Sequence, residues 1–140
     1  MSFDSAQAQD FLAHAFAPWV RALDLTVEEI SPQQAVLSMP ITDDIARIGG
    51  IVCGQALATM ADTAMVIATA GHYGHPRPVA TTNLDTQFLR PGSGDRVRCV
   101  ARVRRAGKAM LFAQADMHAL PDDRLIASAT ATFFVPPDAP

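Results

Sequence analysis

Apolar and polar residues follow two periods along the chain, and these periods predict its helices and strands. Apolar residues recur at helical spacing from Ser5 to Phe16, and Pro18 marks the exit of this first helix. A second helix is predicted from Gly54 to about Gly71, where small and apolar residues surround nearly the whole circumference. A helix that is apolar on all sides is a buried helix, and its many alanines indicate close packing against another layer.

Six further segments have the alternation or composition of strands, and short turn signals separate them. The segment Arg96–Arg104 alternates apolar residues with arginines, which is typical of a strand with one solvated face. Residues Asp43–Gly50 are predicted to form a loop. Consecutive strands joined by short turns imply an antiparallel sheet and an α+β class, with the sheet curved around the central helix. The predicted strands are Leu23–Ile30, Ala35–Ile41, Val79–Leu89, Arg96–Arg104, Met110–Ala119 and Leu125–Val135.

Composition narrows the class of protein. The chain of 140 residues is the size of one domain, so we expect residues 1–140 to form a single unit. A formal charge of −3 argues against a nucleic-acid partner. The most apolar stretch, Cys53–Ala70, carries Asp62 near its centre, which makes it a poor membrane span. No secretory signal is evident and only two cysteines occur, so a cytoplasmic protein without a membrane partner is expected.

Asp62 is the first candidate for chemistry, because an ionised carboxylate among Ala, Met and Val is costly unless it is paired, solvated or functional. At helical spacing it shares a stripe with Gln55, Thr59, Val66 and Thr69. That stripe has a plain alternative interpretation as the polar face of the helix, or Asp62 has a buried structural partner.

Gly54 is the second candidate, because it stands at the predicted start of the buried helix. A helix N-terminus leaves backbone N–H groups without intrahelical partners and carries a partial positive charge. Such a group, aimed at a carbonyl oxygen, is an oxyanion-hole donor. Glycine at this position lets a substrate approach the backbone without meeting a side chain.

The segment around these two residues resembles the phenylacetate-pathway (PaaI-like) branch of the hot-dog thioesterases. That family opens its central helix with His-Gly-Gly and places an acidic residue nine positions after the His. Here Cys53-Gly54-Gln55 occupies that place, and Asp62 follows nine positions after Cys53. The likeness extends from about residue 23 to residue 134. It includes the strand at residues 80–91, ending in Leu-Arg-Pro, and the Arg-Ala-Gly-Lys hairpin at residues 105–108.

The resemblance implies a hot-dog fold and hydrolysis of acyl-CoA thioesters. Asp62 would act as general base on water or as nucleophile on the thioester carbonyl. Gly54 would supply the polarising backbone N–H. Thr81 lies near the position of a Ser or Thr that orients water or substrate in relatives, and Thr82 is a weaker candidate. Coenzyme A would enter as part of the substrate, with no metal and no other cofactor.

The resemblance also implies substrate contacts, and it is incomplete at three positions. Arg105 and Lys108, and more weakly Arg90, are candidates for the phosphates of coenzyme A, with ordinary surface charge as the alternative. Cys53 replaces the family His and Arg47 stands near a position often held by Asn; both are expected at the substrate. Gln55 replaces the second glycine and is a candidate side-chain donor to the carbonyl.

Helix geometry predicts that the active form is at least a dimer. Gly54 and Asp62 are eight residues apart, or about 12 Å along one helix. One carbonyl needs both its oxyanion donor and its base within hydrogen-bond reach. Two antiparallel helices related by a two-fold axis would bring Gly54 of one chain near Asp62 of the other. A homodimer with two shared sites is therefore expected, and a dimer of dimers is a further possibility.

Other functions remain open at this point. A non-catalytic acyl-CoA or lipid-binding protein on the same scaffold is the main alternative, and a hydratase or dehydratase, which would pair a His with an acid, is another. Cys53 as a nucleophile lacks a nearby base, and His72 with His75 is a weak metal signal. Three residues, each equally explained by core packing, are candidates to line an acyl pocket: Met60, Met65 and Phe88.

Overall fold

The protein is described by a computed structural model over residues 3–137, and its elements within that range confirm the predicted α+β class. In chain order they are α1 (Ser5–Ala15), α2 (Pro18–Arg21), β1 (Thr26–Ile30), β2 (Ala35–Pro40), β3 (Ala46–Arg47), β4 (Ile51–Val52), α3 (Gly54–Tyr73), β5 (Ala80–Phe88), β6 (Arg96–Ala106), β7 (Met110–Leu120) and β8 (Arg124–Phe134). The predicted single domain of residues 1–140 includes residues 1–2 and 138–140, which lie outside the described range.

Six strands form one antiparallel sheet in the order β1-β2-β6-β7-β8-β5, while β3 and β4 form a separate ribbon. Helix α3 packs on the inner face of this sheet and contacts β2, β5, β6, β7 and β8. This is the hot-dog arrangement, and it follows from burying a helix that has no polar face wide enough for solvent. Strand β5 is left as one edge of the sheet.

Small side chains let α3 approach the sheet closely. Twelve of its 20 residues are buried, among them Ala61 and Ala64 with no exposed surface. The facing strands β7 and β8 present alternate alanines, such as Ala115 and Ala129, to the same core. Side chains of a strand point alternately to its two faces, so every second residue of β7 and β8 faces the helix, and many of these are alanines. The alanine content of the helix predicted this close contact correctly.

Helix α1 covers the opposite edge of the sheet. Its N-terminus is a capping box, in which Gln7 N donates to Asp4 Oδ1 at 2.8 Å and Asp4 N donates to Gln7 Oε1 at 2.9 Å. Gln9 then binds the backbone around β1, donating to Leu25 O at 3.0 Å and accepting from Val27 N at 2.7 Å. Edge strand β1 is thus tied to α1, whereas the outer side of β5 pairs with no other strand among residues 3–137.

Two short elements were not predicted. Pro18, expected only to end α1, begins the four-residue helix α2, because a proline is tolerated at the first helical position. The segment predicted as a loop contains β3, which pairs with β4 directly after that segment, Ala46 with Val52. This ribbon places the chain for the start of α3, since Cys53 N donates to Ile45 O at 2.8 Å.

The end of α3 also differs from the prediction. The helix passes through Gly71 and ends at Tyr73, with Gly74 in the left-handed conformation at φ 81° as its C-cap. Gly71 is required for packing rather than for termination, because a Cβ there would lie 2.7 Å from Ser31 O. A glycine inside a helix therefore marks close contact with the β1–β2 turn.

Candidate active site

The N-terminus of α3 is exposed to a groove and is not neutralised by its own side chains. Cys53 is the N-cap residue in an extended conformation, makes no side-chain capping bond, and is partly buried. The first intrahelical bond runs from Leu57 N to Cys53 O at 3.3 Å. The N–H groups of Gly54, Gln55 and Ala56 therefore precede the helical ladder. Since the first turn contains no acidic residue, the partial positive charge of the helix remains available to an anionic oxygen.

A groove of about 360 Å³ opens beside Gly54. We call it the Gly54 groove; its lining includes Arg47, Val52, Gly54, Leu57, Phe88 and Arg90. The ring of Phe88 lies over the helix start, because a Cβ built on Gly54 would be 3.2 Å from its Cζ. Glycine at this position thus permits an aromatic ring from β5 to touch the helix backbone. One nitrogen of the Arg90 guanidinium is bound to the backbone, since its Nη1 donates to Leu125 O at 3.1 Å.

Asp62 lies at the middle of α3 and faces β5. Its Oδ1 accepts a hydrogen bond of 2.9 Å from Thr81 Oγ1. Burial raises the pKa of Asp62 above its ordinary value, and the Thr81 hydroxyl offsets part of this rise by stabilising the charged form. None of the ion pairs formed within residues 3–137 involves Asp62. A partly buried carboxylate with one hydroxyl partner and no cation is suited to accept a proton.

Two threonine hydroxyls of the predicted polar stripe donate hydrogen bonds to backbone carbonyls of the same helix. Thr59 Oγ1 donates to Gln55 O at 2.8 Å and Thr69 Oγ1 donates to Val66 O at 2.7 Å. Thr69 is buried, so the stripe is not a solvated face along its length. Gln55 is exposed, Thr59 and Asp62 are partly buried and Thr69 is buried, so the stripe is solvated only towards the start of the helix.

Most of the predicted site residues fall into two separate groups in one chain. Gly54, Arg47 and Arg90 meet at the Gly54 groove, with Gln55 exposed on the first turn of α3. Asp62 does not line that groove; it lies about 12 Å along the helix from Gly54, beside Thr81.

The predicted cations of the β6–β7 hairpin belong to another region. Lys108 lines a second groove, of about 460 Å³, near the C-terminal end of α3. Arg105 is exposed and lines neither groove.

Comparison with known proteins assigns the family. The sequence profile of the thioesterase superfamily matches residues 49–126, which is more than half of the 140-residue chain. This chain belongs to the thioesterase superfamily. The matched segment contains both halves of the candidate site. Family membership supports thioester hydrolysis as the general reaction class.

Individual relatives agree with this family and this fold. The chain is 32% identical over 105 residues, 74% of its length and 77% of the relative, to a candidate esterase of Pseudomonas aeruginosa. It also resembles a solved thioesterase family protein from Silicibacter pomeroyi, with 25% identity and a TM-score of 0.83 over 96% of this chain and 99% of that one. A thioesterase from Haemophilus influenzae has 16% identity and a TM-score of 0.86 over 98% and 93% of the two chains, and shows the shared fold alone.

The hot-dog core also separates the three candidates for an acyl pocket. Met60 and Met65 are fully buried and belong to the core beneath α3. Phe88 is 56% exposed and lines the Gly54 groove. The sequence did not single out Leu57 or Leu89, which line the same groove. Leu89 directly precedes the Arg-Pro-Gly turn, and this position beside the candidate Arg90 could have indicated that Leu89 lies at the groove.

Across residues 3–137, no three His, Cys, Asp or Glu side chains are grouped so as to hold a metal ion. His72 and His75 are exposed near the end of α3. None of the helices in that range is both long and apolar enough to cross a membrane.

Proposed function

We propose that this protein hydrolyses acyl-CoA thioesters, with Asp62 activating the attack and the Gly54 amide of the partner subunit polarising the thioester carbonyl. The observation that carries the proposal is the Asp62–Thr81 pair at the centre of the buried helix of a thioesterase-superfamily fold. The resemblance to the PaaI-like branch, with its acidic residue at this position, supports the choice of Asp62.

The chemistry can follow two routes from the same carboxylate. As a general base, Asp62 takes a proton from water while the water oxygen adds to the carbonyl carbon; the carbon–sulfur bond then breaks and the thiolate takes up a proton. As a nucleophile, Asp62 adds to that carbon, expels the thiolate and forms an anhydride that water cleaves. Either route puts negative charge on the carbonyl oxygen, which the amide of Gly54 stabilises.

The position of β5 supports a site shared between two chains. Thr81 near the start of β5 contacts Asp62, and Phe88 at its end covers Gly54. Antiparallel pairing of this open edge with its own copy would set the Phe88 end of one chain beside the Thr81 end of the other. Gly54 and Asp62 would then face one carbonyl from opposite subunits. Hot-dog thioesterases are typically oligomeric, which agrees with this arrangement.

The Gly54 groove is proposed to take the acyl group. Apolar side chains of Leu57, Phe88 and Leu89 line it beside the helix start. An acyl chain lying there has its carbonyl oxygen next to the unpaired amides of α3. Arg47 and Arg90 at the same groove provide positive charge around the carbonyl.

The test is release of free thiol from short, medium, long and aromatic acyl-CoAs by the native protein, Asp62→Asn and Asp122→Asn. Asp62→Asn is expected to lose about a hundredfold to ten-thousandfold in kcat, as for removal of a catalytic base. Asp122, exposed in the turn between β7 and β8, is a matched carboxylate outside the site and its variant keeps native activity.

A folding control accompanies this test. Folding raises the pKa of Asp62 above its ordinary value, so folding opposes ionisation of this carboxyl. The protein therefore loses stability as the pH rises from the ordinary pKa of Asp62 to its raised pKa in the folded state. Asp62→Asn is therefore expected to be at least as stable as the native protein at pH 7 in urea unfolding. Activity retained by a folded Asp62→Asn protein contradicts the role of Asp62, and tight acyl-CoA binding without turnover by the native protein favours the binding alternative.

A further inference from the structure

Helix α3 has one stripe that its own chain leaves partly uncovered. Twelve of its 20 residues are buried, and the others, apart from the C-terminal His72 and Tyr73, lie on one side of the helix. We call this the open stripe of α3, and it consists of Gly54, Gln55, Ala58, Thr59, Asp62 and Val66. Because the same chain already buries the rest of the helix, the open stripe is the surface of α3 that a partner can contact.

Ala58 lies halfway between the two proposed reactive groups of this stripe. It follows Gly54 by four residues and precedes Asp62 by four, so each lies about 6 Å from it along the helix axis. Successive residues of a helix are about 100° apart, so Asp62 lies about 80° around the helix from Gly54, and Ala58 lies about 40° from both. A two-fold axis that brings Gly54 of one chain opposite the partner's Asp62 therefore passes beside Ala58.

The charges of the open stripe are self-complementary about this axis. The N-terminus of α3 carries a partial positive charge, with no acidic residue in its first turn and no side-chain cap. Asp62 is the one ionisable side chain of the stripe, and none of the ion pairs formed within residues 3–137 involves it. Antiparallel packing sets each helix N-terminus against the partner's Asp62. Parallel packing in register would instead set Asp62 against its own copy, which is a repulsive contact.

A second copy can cover the stripe without burying unpaired side-chain hydroxyls. Thr59 Oγ1 donates to Gln55 O at 2.8 Å, and Thr81 Oγ1 donates to Asp62 Oδ1 at 2.9 Å. At the centre of the stripe, Ala58 presents only a methyl group. Helices whose contact residues are small approach to about 8 Å between their axes, and larger contact residues hold them further apart. The size of residue 58 therefore controls how closely two copies of α3 approach.

We propose that Ala58 lies on the two-fold axis of the working dimer, where it contacts its own copy and sets the distance between Gly54 of one chain and Asp62 of the other. The inference rests on the proposed shared site and deepens it, because it assigns the helix contact that holds the two halves of the site together. Ala58 is a positioning residue, since it acts through Gly54 and Asp62 and does not touch the reacting atoms.

Disulfide trapping tests this contact without any substrate. Ala58→Cys is made in a Cys53→Ser background, in which Cys99, a buried residue, is the one remaining natural cysteine. Two cysteines form a disulfide when their Cα atoms lie within about 7 Å, so mild oxidation is expected to convert Ala58→Cys into a covalent dimer on a non-reducing gel. Val66→Cys in the same background is the matched control, because its two copies would lie about 24 Å apart along antiparallel helices.

Side-chain volume at position 58 tests the positioning role. Ala58 is only partly buried in its own chain, so Ala58→Leu is expected to unfold in urea as the native protein does. Its kcat is expected to fall about a hundredfold, the loss that follows from about 1 Å of misplacement between reacting groups. Its KM stays near the native value, because Ala58 does not line the Gly54 groove. Ala58→Ser, which is nearly the same size as the native residue, keeps the native kcat.

Three results would overturn the inference. They are absence of cross-linking in Ala58→Cys, equal cross-linking in Val66→Cys, and native kcat in a folded Ala58→Leu protein. If the native protein hydrolyses no thioester, the proposed function fails by itself. Cross-linking still decides in that case whether Ala58 meets its copy, because it requires no turnover.

Discussion

At the scale of single residues, the candidate chemistry depends on one hydrogen bond. Asp62 is partly buried in a helix of small apolar residues, and Thr81 Oγ1 is the side chain that donates to it, at 2.9 Å. Burial favours the neutral acid and the hydroxyl favours the carboxylate, so the two residues set the pKa between them. A base that must be ionised near neutral pH benefits from this balance.

Thr81→Val tests that balance. Loss of the hydroxyl removes the contact that lowers the pKa of Asp62, so this pKa rises further above its ordinary value. Because the proposed reaction needs ionised Asp62, the acid limb of the kcat/KM profile is expected to move to higher pH. Thr81→Ser keeps the donor and keeps the native profile. Measurement of kcat/KM against pH checks the direction, and an unchanged limb in Thr81→Val excludes a role for the hydroxyl.

Thr82→Val is the matched control for the neighbouring position. Thr82 Oγ1 donates to Thr132 O at 3.1 Å instead of to Asp62. Its loss is expected to leave the acid limb where it is in the native protein. A shift in Thr82→Val equal to that in Thr81→Val would mean that the profile reports disturbance of β5.

At the scale of elements, helix α3 is in close contact with other segments at both ends, and glycine permits each contact. Gly54 lies under the Phe88 ring at the start, and Gly71 lies against the β1–β2 turn near the end. The neighbours differ in kind: Phe88 is an exposed side chain with room to move, whereas Ser31 O is backbone. The same substitution at the two glycines is therefore expected to have different effects.

Gly71→Ala is expected to destabilise the protein by about 1–3 kcal/mol, because the new Cβ would lie 2.7 Å from Ser31 O and the turn would have to shift. Gly54→Ala is expected to change stability by less than about 1 kcal/mol, since alanine favours the helix while Phe88 moves aside. Urea unfolding at pH 7 measures both. Equal losses at the two positions would contradict the distinction between backbone and side-chain contact.

Gly54→Pro isolates the backbone amide proposed as the oxyanion donor. Proline is tolerated at the first helical position, and Cys53 already has the extended conformation required before a proline. Gly54→Ala introduces the same Cβ and keeps the N–H, so it is the matched control. Gly54→Pro is expected to lose about a hundredfold to a thousandfold in kcat relative to Gly54→Ala. Equal rates in the two folded variants would show that this amide does not stabilise the transition state.

At the scale of the whole molecule, one chain keeps the two halves of the site apart. The Gly54 groove and the Asp62–Thr81 pair lie about 12 Å from each other along α3, yet both adjoin β5. Within residues 3–137 the outer edge of β5 pairs with no other strand, and natural sheets cover or pair such edges. The whole-molecule prediction is therefore that the working site exists only in the assembled protein.

A mixed dimer of Asp62→Asn and Gly54→Pro chains tests the shared site. Co-expression with two affinity tags isolates dimers that contain one chain of each kind. If each site takes Gly54 from one chain and Asp62 from the other, one of the two sites is intact and activity is about half of native. If both groups act within one chain, no intact site exists and the mixed dimer is as inactive as its parents.

Much of the fold was accessible from the sequence because its signals are local. The period of α3, the alternation in β6 and the turn residues between strands depend on neighbours in the chain, and they placed these elements to within a few residues. The β3–β4 ribbon and α2 were missed because they are short. They are fixed by contacts such as the bond from Cys53 N to Ile45 O, which no periodicity reports.

For the site, the sequence by itself determined the candidate groups, which are a carboxylate in an apolar helix and a glycine at its start. It also determined their spacing, which is too long for both to reach one carbonyl. Tertiary structure alone decided that Thr81 is the partner of Asp62, that Phe88 covers Gly54, and that Lys108 but not Arg105 lines a groove near the end of α3. Strand β5 is distant from Asp62 in the chain and contacts α3 because the sheet curves around the helix. Burial, which raises the pKa of Asp62, exists only in the folded protein, where elements distant in the chain pack around α3.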